Sequence, residues 1–252
     1  MIKIASNKNR EVVKSNGIFV GYLLAGYPNN EDFISLVKKV SNTKMDVLEI
    51  GFPSDNPIAD GDIIRRAHEK VDLNLCQDIE YWKLIRKCTT KPIWLMAYKR
   101  DFIDSNLYKE FARNKVMDAI VIPDCIHEEH NQLEQELKEF NVDVLKFIRS
   151  TLKSEEIKKR AADASLLYAQ LHDGPTGASN VTGNYHSMLK TALEYSDAKI
   201  FAGFGIDSKE KVDELFQQGF HGVVIGTAMI RMLNISEEEL IKFINAIKAN
   251  VS

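Results

Sequence analysis

Two carboxylates with unlike neighbourhoods stand eleven positions apart in the stretch 46–62, DVLEIGFPSDNPIADGD. Glu49 sits between Leu48 and Ile50, so a strand that buries its neighbours takes an acid in with them. Asp60 lies on a loop whose path is set by Pro53, Pro57 and Gly61. One acid at a strand end and a second on a stiffened loop beside it suit general acid–base chemistry on a small molecule, with apolar walls raising one pKa and polar surroundings keeping the other group ionised. Taken alone, Glu49 reads equally well as a satisfied structural acid and Asp60 as a turn cap.

The elements that must position these acids follow from periodicity. Apolar runs at 17–26, 47–51, 92–98, 117–124, 143–148, 164–170, 199–206 and 221–230 read as eight strands. Between them lie stretches with helical spacing: Phe33, Leu36, Val37 and Val40 behind an Asn30 cap, then 62–72, 76–88, 105–115, 128–140, 154–162 capped by Ser154, 184–196 and 208–219. A short helix begins near Thr227 and a last one covers 236–249, while the first sixteen residues read as a polar leader. Near-continuous apolar strands alternating with amphipathic helices are the pattern of parallel strands buried on both faces. Closed on themselves, they predict a (β/α)8 TIM barrel, a single domain over 1–252. The competing open, doubly wound sheet lacks its Gly-rich first turn here, where the chain reads GYLLAGYPNN.

Composition narrows the function. The 252 residues are 44% hydrophobic and 27% charged, with a formal charge of −3, which leaves no basic footprint for nucleic acid or an anionic membrane. No apolar run approaches the roughly 20 residues that span a bilayer. Cys76, Cys88 and Cys125 form no CxxC pair, and MIKIASNKNREVVK has no apolar signal region, so a reduced, cytoplasmic protein is expected. No metal site is expected: His127 and His130 fall in a polar, acidic segment that reads as a solvated helix start.

Barrel enzymes build their sites at the C-terminal strand ends, which keeps Glu49, Asp60, Tyr22, Tyr98, Asp124 and Tyr168 as candidates. The same filter keeps three Gly-containing loops: LHDGPTGAS (171–179), GFGIDS (203–208) and IGTAMI (225–230). Each alone reads as a turn or helix cap. Together, after strands six, seven and eight and with a short helix following the last, they suit phosphate held by backbone N–H groups, with Gly177, Gly205, Gly226 and Thr227 as donors.

These motifs resemble, in order and over almost the whole chain, those of the tryptophan synthase alpha subunit. EIGFP and NPIADGD resemble the family's E-L-G-x-P-F-S-D-P-L-A-D-G-P, and PIWLMAY its P-x-x-L-M-x-Y. DGPTGAS, GFGIDSKEKV and GVVIGTAMI resemble its x-G-V-T-G-x, G-F-G-I-S and G-x-(I/V)-x-G-S-A. The resemblance implies a phosphate-binding barrel of the ribulose-phosphate-binding type that cleaves indole-3-glycerol phosphate, by a retro-aldol reaction, to indole and glyceraldehyde 3-phosphate. Glu49 is then the general acid–base and Asp60 the acceptor for the indole N–H. Tyr22, Tyr98 and Tyr168 line the indole pocket, Thr176 reaches Asp60, and Gly177, Phe204, Gly205, Gly226 and Thr227 hold the phosphate. It further implies a beta-subunit partner in a heterotetramer of two alpha and two beta chains. Indole passes to pyridoxal phosphate held by the partner, and the alpha chain itself needs no cofactor. Pro53, Asp55, Asn56 and Pro57 face that partner.

The departures are local. Pro53-Ser54-Asp55-Asn56-Pro57 replaces P-F-S-D-P, Asp62 replaces a proline, Tyr27 the aspartate of G-D-P, and Pro175 a valine. They bear on partner contacts and loop motion, since Glu49 and Asp60 keep their spacing. Three rivals stay open: a Schiff-base aldolase using Lys146 or Lys99, another phosphate-binding barrel such as an indoleglycerol-phosphate synthase or phosphoribosyl isomerase, and a barrel that chiefly activates a partner enzyme.

Overall fold

The computed structural model describes residues 4–172, 176 and 185–248. Among these, eight parallel strands close into a barrel in sequence order. They are β1 (Ile18–Leu24), β2 (Val47–Gly51), β3 (Ile93–Met96), β4 (Ala119–Val121), β5 (Asp143–Arg149), β6 (Leu166–Gln170), β7 (Lys199–Gly203) and β8 (Gly222–Ile225). Before β1 runs α1 (Asn7–Val12), and between the strands come α2 (Asn30–Ser41), α3 (Asp62–His68), α4 (Ile79–Lys87), α5 (Leu107–Arg113), α6 (His127–Leu137), α7 (Ser154–Ala162), α8 (Tyr185–Tyr195) and α9 (Lys209–Gln217). After β8 follow α10 (Thr227–Leu233) and α11 (Glu237–Ile247). No helix among the described residues is long and apolar enough to cross a membrane.

The strands are apolar throughout because both of their faces are covered, and the period of two sorts their side chains between two cores. Val20, Val47, Trp94, Leu145, Phe201 and Val224 fill the barrel interior. Their sequence neighbours, among them Leu48, Ile93 and Ile200, pack outward against Phe33, Val37, Trp82 and Ile244 of the helices. The alternation carries chemistry with it. Two residues beyond inward Val47, Glu49 is paired in register with Tyr22 of β1, and both line the same cavity at the C-terminal end of the barrel.

Several boundaries differ from the sequence reading, each for a local reason. The polar leader contains a helix: α1 closes the N-terminal end of the barrel through the polar Asn9 and Ser6, with Val12 and Val13 packed against the interior cluster. The cap of α2 is Asn29, whose side chain accepts from Asp32 N at 3.0 Å, and Lys153 occupies the cap position of α7. The stretch 76–88 divides where Asp78 ends a 3-10 turn, Leu73–Gln77, and caps α4. The start of α6 is not solvated: His127, His130, Leu133 and Leu137 form its buried stripe. His130 Nε2 donates to the Ile122 carbonyl at 2.9 Å, and burial pushes its pKa down to about 4.

Candidate active site

Glu49 is 3% exposed, and its Oε1 has no hydrogen-bond partner among the described residues. Burial, and next the negative charge of Asp60, push its pKa up to about 8. The carboxyl is therefore protonated at neutral pH, the state a general acid requires. Gly51, two residues on, leaves the space that the Tyr22 ring occupies, since a Cβ there would overlap the Tyr22 hydroxyl. Burial keeps the Tyr22 and Tyr168 phenols protonated, with pKa values well above their ordinary range.

Asp60 is held from three elements. Tyr98, just after β3, donates its hydroxyl to Oδ2 at 2.6 Å. Thr176, in the loop after β6, donates to Oδ1 at 3.4 Å. His68, the last residue of α3, brings Nε2 to 3.6 Å from Oδ2. Thr176 is also bonded to the loop after β2: its N–H donates to the Ala59 carbonyl at 3.0 Å and its Oγ1 accepts from Gly61 N at 2.9 Å. This approach requires glycine at 61, where a Cβ would overlap the Thr176 carbonyl oxygen.

Glu49, Asp60, Tyr22, Tyr168 and Thr176 share a cavity of about 170 Å³ with apolar walls from Ile64, Met96, Val121, Phe147 and Val224. Its far end is made by Phe204, Gly205, Gly226 and Thr227. Phe204 and Gly205 are consecutive left-handed residues, φ 75° and 71°, an arrangement that strains a phenylalanine and concentrates at functional turns. Thr227 opens α10, and its buried hydroxyl has no partner among the described residues. The cavity thus joins the paired acids Glu49 and Asp60, apolar walls, and the two Gly-containing turns, where Asp207, two residues after Gly205, adds a third carboxylate to the lining.

A family model described as tryptophan synthase alpha chain matches residues 9–252. The chain belongs to this family. Similar curated proteins are the tryptophan synthase alpha chain of Caldicellulosiruptor saccharolyticus, 30% identical over 246 residues with 94% of each chain covered, and that of Aquifex aeolicus, 31% identical over 233 residues with 87% of each covered. The fold is also that of Mycobacterium tuberculosis tryptophan synthase, with a TM-score of 0.83 at 19% identity and 96% of each chain covered.

Most of the candidate residues converge on the one cavity, and the exceptions are informative. Tyr98 stands behind Asp60 rather than in the cavity wall, its hydroxyl also accepting from Ala59 N at 3.2 Å. Gly177 lies outside the described residues. Asp124 accepts from Lys99 N at 3.0 and 3.1 Å and holds the turn after β3. Lys146 lies between inward Leu145 and Phe147, so it points outward to an ion pair with Glu134 of α6 at 2.9 Å. Lys99 pairs with Glu129, and neither lysine lines the cavity, which removes the physical basis of a Schiff-base route. In the loop after β2, Pro53 and Ser54 are buried while Asp55 and Asn56 are exposed. Ser54 donates to Asp101 Oδ2 at 2.6 Å, so it organises the loop from beneath.

Two residues at the site were not legible as candidates. Arg231 lines the cavity beside Gly226 and Thr227, one turn beyond Thr227 on the same face of α10. Its spacing after the short helix start was the available signal. His68 reaches Asp60 only because α3 folds back over its own entry loop, which no motif marks.

Proposed function

We propose that Glu49 and Asp60 carry out in this chain the reaction of its family, cleavage of indole-3-glycerol phosphate to indole and glyceraldehyde 3-phosphate, within one (β/α)8 domain. The observation that carries the assignment is the buried Glu49 carboxyl, its pKa raised to about 8, opening on a cavity it shares with Asp60. Protonated Glu49 gives its proton to C3 of the indole ring, and Asp60 accepts the indole N–H and offsets the positive charge that forms on the ring. The Glu49 carboxylate then takes the proton of the adjacent glyceryl hydroxyl. The C–C electron pair returns to the ring, indole and the aldehyde separate, and Glu49 ends protonated as it began.

The apolar middle of the cavity accepts the indole, with Tyr22 and Tyr168 in its wall. Phosphate lies across the mouth at Phe204, Gly205, Gly226 and Thr227, where the unpartnered Thr227 hydroxyl supplies a donor. The charged end of Arg231 is the matching cation. All of these steps use side chains and backbone of the chain, and pyridoxal phosphate belongs to the partner's reaction. The family implies a beta-subunit partner. We assign to it the exposed surface around Asp55, Asn56, half-buried Pro57 and Ile58, which is 54% exposed, in an assembly of two alpha and two beta chains in the cytoplasm.

Indole release from indole-3-glycerol phosphate tests the reading directly. Glu49→Gln should lose activity by 10²-fold or more, the range of general acid–base catalysis, and added beta subunit should raise the rate of the unaltered chain. A Glu49→Gln protein with full activity removes the mechanism.

A further inference from the structure

Behind Asp60 stands a histidine whose proton is placed by the backbone. His68 is 4% exposed, and its Nδ1 lies 3.1 Å from the Ser54 amide N–H. An amide N–H can only donate, so Nδ1 carries the lone pair and the neutral ring carries its proton on Nε2. That Nε2–H is buried and has no hydrogen-bond partner among the described residues. It faces Asp60 Oδ2 at 3.6 Å, a few tenths of an ångström beyond hydrogen-bond length. The same oxygen takes the Tyr98 hydroxyl at 2.6 Å, whereas Oδ1 is turned toward Thr176, which lines the cavity.

We infer that His68 is a positioning residue for Asp60: with Ser54 fixing its tautomer, its Nε2–H closes on Oδ2 when substrate is bound, so that Oδ2 belongs to the scaffold and Oδ1 to the indole N–H. Such contacts are commonly long without substrate and shorten in the reacting complex. The carboxylate plane is then set from behind by Tyr98 and His68, and a carboxylate aimed in advance needs no reorganisation as charge develops on the ring. The inference rests on Asp60 acting on the substrate as proposed above.

Two substitutions separate positioning from a purely structural role at the end of α3. In His68→Asn the side-chain oxygen stands near Nδ1 and keeps the Ser54 bond, but the donor to Asp60 is lost. In His68→Gln the amide nitrogen reaches the place of Nε2 and restores that donor. Positioning predicts that His68→Asn lowers kcat for indole release about tenfold with KM little changed, and that His68→Gln recovers most of the rate, both measured with and without the beta subunit. The structural alternative predicts the reverse order and overturns the inference. Nitrogen-15 spectra of histidine-labelled protein provide a readout independent of turnover: His68 should be the Nε2-protonated neutral tautomer, and Asp60→Asn should shift its Nε2 signal. A proton on Nδ1, or a signal indifferent to Asp60→Asn, also overturns it. Loss of activity in Asp60→Asn beside an unimpaired His68→Asn leaves Asp60 in its role and removes His68. Full activity in Asp60→Asn removes the reading of Asp60 and the positioning role together.

Discussion

At Glu49 the fold sacrifices stability for a usable acid. The carboxyl has an ordinary pKa of 4.5 and a folded value of about 8. Because the folded value is raised, stability from this group is fully present below pH 4.5 and is lost progressively as pH rises to about 8. Glu49→Gln removes the titration. The variant should therefore gain stability over the parent between pH 4.5 and 8, by roughly 4 kcal/mol at the upper end from 1.36 kcal/mol per pKa unit. Denaturant unfolding of the two proteins at pH 5 and 8 checks this, and a pH-independent difference contradicts a raised Glu49. The same pKa should appear in catalysis, with kcat/KM falling as pH rises through about 8 and the proton donor is lost. At the opposite end of the cavity, Arg231→Ala should raise KM for the phosphate substrate about ten- to a hundredfold, roughly the 1.5–3 kcal/mol of a charge-assisted hydrogen bond, and change kcat little. Equal loss in kcat would place the guanidinium at the reacting bond instead.

At the scale of elements, the loop after β2 is where legible and illegible parts of the site meet. Glu49 and the strands were readable because burial on both faces writes an apolar run, and Gly205, Gly226 and Thr227 because glycine marks sharp turns at known strand ends, whereas Phe204 came only through the family motif. Thr176 was readable only through the family motif, since nothing in DGPTGAS states that this threonine bonds to Ala59 and Gly61. His127 and His130 were misread because a buried stripe built from histidine has no apolar signature, although its i, i+3 spacing was in view. His68 shares that difficulty and adds another: its contacts, Ser54 and Asp60, are set by the return path of α3 rather than by a period. The close approach of Thr176 to Gly61 gives a prediction at this scale. Gly61→Ala should force Thr176 away from Asp60, because the added Cβ meets backbone oxygen and not a movable side chain. Indole release should fall tenfold or more, and because backbone must shift to admit the Cβ, unfolding stability should fall as well, by about 1–3 kcal/mol. Unchanged turnover in Gly61→Ala would show that the Thr176 contact is dispensable.

Across the whole molecule the two ends of the barrel differ: the candidate site lies at the C-terminal strand ends, and a plug built around Asn9 closes the other. Asn9 of α1 is 0% exposed and spans three strands' entrances. Its amide donates to the Asp118 carbonyl at 3.0 Å and to Asp143 Oδ2 at 2.8 Å, and its oxygen accepts from Trp94 Nε1 at 2.9 Å. Burial raises Asp143 from 3.8 to about 6, with Asn9, Ala5 and Ser6 donating to hold it down. The folded pKa is above the unfolded one, so the stability Asp143 contributes is complete below pH 3.8 and declines as pH rises through 6. Asn9→Ala strips a donor from the charged form and leaves the Trp94 N–H unpaired, at a cost of about 2–4 kcal/mol. The cost should be larger at pH 7.5, where Asp143 is a carboxylate, than at pH 4.5, where it is protonated and the lost bond is a neutral one. Since the plug lies at the opposite end from Glu49 and Asp60, kcat for indole release should stay at the parent value at temperatures where the variant is folded. Paired denaturation curves at the two pH values and one activity assay decide the matter: a pH-independent loss would remove Asp143 from the account, and a fall in kcat would show that the two ends of the barrel are not separable.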